Sequence, residues 1–118
     1  LAAGSPSGGI IGEVTEAGLT ETPGQGAGVV AQVGFGPKTA NPEHQAGWTW
    51  TAVAFDMQAG DADRFNGGFT APAPGAYAFA YRVSVDGGAT WTYCDTNGAG
   101  SNPGLSFETP RLGSLTVN

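Results

Sequence analysis

The stretch YAFAYRVSVDGGATWTYCD, from Tyr77 to Asp95, constrains the fold more than any other part of the chain. Tyr77, Phe79, Tyr81, Val83 and Val85 recur at every second position, and Ala76, Ala78, Ala80, Arg82 and Ser84 fill the alternate set. That is the period of a strand with one large-residue face; a helix would scatter the rings around its circumference. Asp86-Gly87-Gly88 follows, with glycines able to take the positive φ of a tight hairpin turn, and alternation resumes through Trp91, Tyr93 and Cys94. The passage predicts two strands joined by a tight turn, with the Tyr77, Phe79 and Tyr81 face turned inward.

The rest of the chain repeats the theme in shorter form. Ile10 to Thr15 predicts a first strand, Val29 to Phe35 a second, and Trp48 to Asp56 a third. Arg64 to Thr70 predicts a fourth, bulged at Gly67-Gly68, and the segment between it and the third strand reads as a turn. Leu105 to Phe107 and Leu112 to Val117 complete the set. In the third strand Trp48 and Trp50 share one face, while Thr49, Thr51, Val53 and Phe55 share the other. Both faces carry bulk, so the pattern leaves open which is inside. No segment keeps apolar residues at helical spacing over several turns. With 21 glycines and 8 prolines beside 12 aromatic residues in 118, the glycines read as turns between short strands. About seven strands in this length predict an all-β fold, an immunoglobulin-like antiparallel β-sandwich over residues 10–118. Residues 1–9, LAAGSPSGG, read as a flexible arm, disordered unless held by its own domain or by a neighbouring copy.

Charge excludes several partners. Four basic residues against ten acidic ones give a net charge of −6, too little positive surface for nucleic acid or an anionic membrane. No apolar run is long enough to span a bilayer, and low lysine with abundant Gly, Thr and Ala points to a secreted or cell-surface protein. The single cysteine, Cys94, reads as a small buried residue, since the sole histidine, His44, lies in a Pro/Gly-flanked loop and gives it no activating neighbour. No nucleophile elbow, zinc spacing or phosphate loop is present, so no enzymatic activity is expected.

The segments EVTEAGLTETPGQGAGVVAQVGFGP, GWTW, GDADRF, APAPGAYAFAYRVSVDGGATWTYCDTNGAGSN and LGSLTV together resemble a β-sandwich module of large secreted bacterial proteins. The resemblance covers nearly the whole chain and implies an extracellular, non-catalytic, immunoglobulin-like accessory domain. It also implies a partner cysteine upstream of IIGEVTEAG, where this chain has LAAGSPSGG.

Four features compete for function. Trp48, Trp50, Trp91 and Tyr93 can form a stacking platform for sugar rings, in a pattern loosely resembling that of starch-binding modules, although sandwiches of this type bury tryptophan and the expectation is that at least two of the four rings are core. Asp61 and Asp63 are weak candidates for calcium ligands at a spacing that is not an EF-hand, and because turn acids commonly bond their own backbone no metal or other cofactor is expected. Arg82 is expected to pair with Asp95 or Glu108. Ile10, Ile11 and Val14, with the arm, offer a strand that can add to a neighbouring copy. The leading expectation is a surface module that self-associates, or joins neighbouring domains of a surface protein, by strand addition. Polysaccharide binding is the alternative.

Overall fold

The computed structural model describes residues 1–40, 42, 46–94 and 113–118. They form seven antiparallel strands and no helix: β1 (Ile10–Val14), β2 (Val30–Gly36), β3 (Thr49–Ala59), β4 (Ala62–Gly67), β5 (Gly75–Ser84), β6 (Thr92–Tyr93) and β7 (Gly113–Val117). The all-β antiparallel expectation holds, and most strands begin within two residues of their predicted starts. His44, Asp95 and Leu105 to Phe107 lie outside the described residues.

The strands run β1-β4-β3-β2-β5-β6, with β7 also on β5, as one sheet folded over into two facing layers. The fold-over happens along β3, whose Thr49–Val53 half pairs with β2 and whose Ala54–Ala59 half pairs with β4. On the far edge of β5, β7 pairs with Gly75–Phe79 and β6 with Arg82 and Val83.

Side-chain parity then fixes the core. Ala31, Val33 and Phe35 on β2 stand opposite Val83, Tyr81 and Phe79 on β5 and point inward, where they meet Val14 and the fully buried Phe65 from the other layer. Tyr81 donates its hydroxyl hydrogen bond to the Ile10 carbonyl, tying the layers together. Gly12 permits this approach, since a Cβ there would come within 2.7 Å of the Tyr81 ring. Burial, reinforced by the nearby Cys94, pushes the Tyr81 hydroxyl from 10.0 up to about 12. Because the folded value lies above the unfolded one, the stabilisation is complete below pH 10 and disappears as the pH rises through 12. Two units correspond to about 2–3 kcal/mol between protonation states. Denaturant titrations should therefore show an alkaline loss of stability over that window that Tyr81→Phe removes; identical alkaline profiles for the two proteins would exclude it.

Three local expectations are corrected. The bulge lies on β3 between Phe55 and Met57, not at Gly67-Gly68. It leaves Met57 48% exposed and sets Gln58 opposite the buried Asp63. The predicted turn between the third and fourth strands is shorter than its sequence suggested: Ala59 pairs with Ala62, and Gly60, at φ 62°, supplies the positive φ of a two-residue hairpin. Conversely, the connection from β5 to β6 is a seven-residue loop rather than a tight turn. Asp86 organises it, accepting from Ser84 Oγ at 2.6 Å, Thr90 N at 2.9 Å and the Thr90 hydroxyl. The Ser84 bond, followed by the two from Thr90, holds the exposed Asp86 carboxyl below the usual carboxylate range.

The arm is likewise held within its own chain. Ala71 N donates to Ser5 O at 2.8 Å, Ser7 N to Phe69 O at 2.8 Å and Asn118 N to Leu1 O at 2.7 Å, and Pro6 bridges Thr70. Gly68 leaves room for the arm, since a Cβ there would sit 2.3 Å from Gly8 O.

Candidate functional site

Residues on β2, β3 and β5 that do not face the core face outward, and there the four ring candidates gather. In register, Gln32 stands beside Arg82, and Arg82 beside Tyr93; one row along, Gly34 lies between Trp50 and Ala80. Trp48, Trp50, Trp91 and Tyr93 are all half-buried, and none belongs to the core between the layers. The expectation that at least two of them fill the core is thus corrected: Thr51, Val53 and Phe55 supply the inward face of β3, so its tryptophans point the other way.

Small residues make this arrangement possible. Trp48 and Trp50 pack over the buried Ala78 and Ala80. A Cβ on Gly34 would lie 2.6 Å from Trp50 Cε3, and one on Gly36 would lie 2.6 Å from Trp48 Cγ. With no side chain on the intervening strand, Trp50 leans across β2 and reaches Arg82 two strands away. Trp48 is pinned at its edge, where Nε1 donates to Ala40 O at 3.0 Å.

The result is an alternating stack. Trp48 and Trp50 have centroids 5.4 Å apart and planes within 21° of parallel, and Trp50 meets Tyr93 edge-on at 5.7 Å. Arg82 Cζ lies 4.3 Å from the Trp50 ring centroid and 4.3 Å from that of Trp91. Both indoles therefore lie against the guanidinium. In its own plane Arg82 donates from Nε (2.8 Å) and Nη2 (2.5 Å) to Gln32 Oε1, and from Nη1 to the Tyr93 hydroxyl at 3.3 Å. The expected partners Asp95 and Glu108 lie outside the described residues; what the structure supplies is an amide, a phenol and two indole faces. Such an array is rigid before any ligand arrives, because each long side chain is already held in one orientation.

The other candidates have structural roles or lie elsewhere. Asp63 is fully buried and its Oδ2 accepts from Gly26 N at 2.7 Å, fastening the loop before β2 to the β3–β4 hairpin. Asp61 is exposed, and its carbonyl accepts from the buried Thr20 hydroxyl at 2.6 Å. Among the described residues no group of three His, Cys, Asp or Glu side chains is placed to hold a metal ion. Val14 is core and the half-buried Ile10 packs against it, while Ile11, at 57% exposure, is the most solvent-exposed of the three assembly candidates. These three residues, Tyr81 and Cys94 line a cleft of about 760 Å³ between β1 and β5, away from the stack. Cys94 packs half-buried against the core, and its backbone N–H donates to Tyr81 O at 2.9 Å.

Sequence reasoning had grouped the four rings but missed Arg82 as the group that joins them. The signal was the small-residue set Gly34, Gly36, Ala78 and Ala80 on alternate positions of two neighbouring strands, which marks a strip where something large lies across the sheet.

Among curated proteins the chain is similar to the amylopullulanase of Thermoanaerobacter thermohydrosulfuricus, at 27% identity over 99 residues. The match takes in 71% of this chain but 7% of that enzyme, so the similarity concerns a small part of a much larger protein. No family model matches the chain. No solved structure matches it.

Proposed function

We propose that this chain is a non-catalytic, extracellular accessory module that binds polysaccharide across the outer face of its β2–β3–β5–β6 layer. The observation that carries the reading is the convergence of Trp48, Trp50, Trp91 and Tyr93 on one partly solvent-open strip. Sugar rings present apolar C–H faces that aromatic surfaces cover, and their hydroxyls need in-plane donors and acceptors of the kind Arg82 and Gln32 provide. Rings and polar groups held in place beforehand lose little conformational freedom on binding. The strip as described contains rings, one guanidinium and one amide but no carboxylate, which suits holding a glycan more than cleaving one. Similarity to part of an amylopullulanase makes α-glucans the first polymers to try. Self-association by strand addition is the second reading: β1 stands at the edge of the sheet with Ile11 57% exposed, while the arm is hydrogen-bonded to its own chain.

The test is affinity electrophoresis in gels containing pullulan, amylopectin or a soluble cellulose derivative. Native protein should be retarded by at least one of them, and Trp91→Ala should weaken retention about tenfold, or about 1.4 kcal/mol, with an unchanged thermal midpoint. Native protein that migrates freely in all three gels would sink the proposal.

A further inference from the structure

We infer that Arg82 determines specificity on this face, by gripping a pair of adjacent free hydroxyls on one sugar unit; the inference rests on the polysaccharide reading above. Trp50 and Trp91 both lie against the guanidinium, so what it has left to offer a ligand are the N–H groups along its edge. Part of that edge is taken, since Nε and Nη2 both donate to Gln32 Oε1. Of the five N–H groups, three are used by Gln32 and Tyr93, which leaves one on Nη1 and one on Nη2 without an acceptor among the described residues. Two N–H groups on adjacent nitrogens of a planar fork match two oxygens side by side.

Vicinal hydroxyls and a carboxylate both offer that geometry, and the surroundings favour the hydroxyls. The protein carries a net charge of −6, which repels an acidic polymer at long range. The positive charge of Arg82 is already met by two indole faces and an amide oxygen, so no counter-ion is needed to keep it there. A neutral sugar unit laid along the strip places its C–H surface against the rings and its diol edge toward Nη1 and Nη2. The chemical class is therefore a neutral glycan whose units keep two adjacent secondary hydroxyls free. Arg82 binds here and holds the stack in order; it performs no reaction.

The test is a two-by-two comparison on the intact chain. Native protein and Arg82→Gln are measured by isothermal titration against native pullulan and against pullulan whose secondary hydroxyls have been O-methylated, which leaves the pyranose rings intact. A direct grip predicts about a tenfold loss for the native protein on the methylated polymer, a similar loss for Arg82→Gln on the unmodified polymer, and no further loss when both changes are combined. Arg82→Lys, which keeps the charge but not the fork, should behave like the glutamine variant. If Arg82 only braces the rings, the two losses will be independent and multiply, and the inference fails. Native protein that binds polygalacturonate more tightly than pullulan overturns it in favour of a carboxylate. Unchanged pullulan binding by Arg82→Gln overturns it while leaving the polysaccharide reading intact. Absence of binding by native protein to every polymer removes both.

Discussion

Phe65→Ala is expected to destabilise the fold by roughly 3–5 kcal/mol, the range for deleting a fully enclosed aromatic side chain. Phe65 has no exposed surface, meets Phe55 edge-to-face at 6.0 Å and 83°, and projects from β4 into the space between the two layers. Its removal takes away buried apolar area and leaves a void that the surrounding strands cannot close, because the β3 fold-over and the Tyr81 to Ile10 bond fix the layer spacing. For a domain of this size, whose total stability is of the order of 5–15 kcal/mol, the thermal midpoint should fall by more than about 10 °C. Denaturant unfolding is the check: the midpoint should shift with little change in slope. A loss below about 1 kcal/mol would mean that the layers do not meet at Phe65.

The second large effect falls on binding rather than on folding. Gly34 lies within β2 and Gly36 ends it, both without positive φ, so an alanine suits the backbone of both positions and acts only through its methyl group. That methyl would stand 2.6 Å from Trp50 Cε3 at the first site and 2.6 Å from Trp48 Cγ at the second. The contacted atoms lie near the root of each indole, so the whole ring must turn away rather than flex at its tip. In the paired variant Gly34→Ala/Gly36→Ala both indoles leave the sheet and Arg82 loses one of its two indole contacts. Retention on an α-glucan should then fall by at least tenfold, with the tryptophan emission shifted to longer wavelength as the rings become solvated. Stability should fall as well, by about 1–3 kcal/mol, because the Gly34 methyl also meets the Thr49 carbonyl oxygen of β3 at 2.6 Å and the strands must shift to admit it; a thermal midpoint checks that the variant is still folded when binding is measured. A variant that binds as the native protein does would show that the stacked rings are not the glycan surface.

Much of this architecture is legible in the chain itself. Alternation from Tyr77 to Val85 identified β5; of its predicted inward residues Tyr81 is buried and Phe79 packs half-buried on the core, Tyr77 is half-buried at the strand's start, and Val85 falls beyond the strand at 39% exposure. Val29 to Phe35 and Ile10 to Thr15 were read nearly to their ends, because one-sided strands carry a period that sequence displays directly. Turn lengths were less legible. The β3–β4 connection contracted to two residues because register pairs Ala59 with Ala62, and the β5–β6 connection lengthened because Asp86 and Ser84 draw the Gly87-Gly88 segment into their own hydrogen-bonded loop.

The two-sided strand β3 marks the limit. Its tryptophans and its Thr51, Val53 and Phe55 set are both bulky enough to fill a core, so period alone could not choose between them. The choice is made by what lies beside β3: Val33 and Tyr81 wait on one side, Gly34 and Ala80 on the other. Arg82 was equally ambiguous, a lone cation among alanines, until the sheet brought it within 4.3 Å of Trp50 and Trp91. The sequence by itself determined an all-β antiparallel domain, most of its strands and the inward face of its central one, since those depend on local alternation. Only the tertiary structure decided that the aromatic residues face outward as one array around Arg82. That outcome depends on which small residues the neighbouring strands place beneath the rings, and strand order and register settle it, not spacing along the chain.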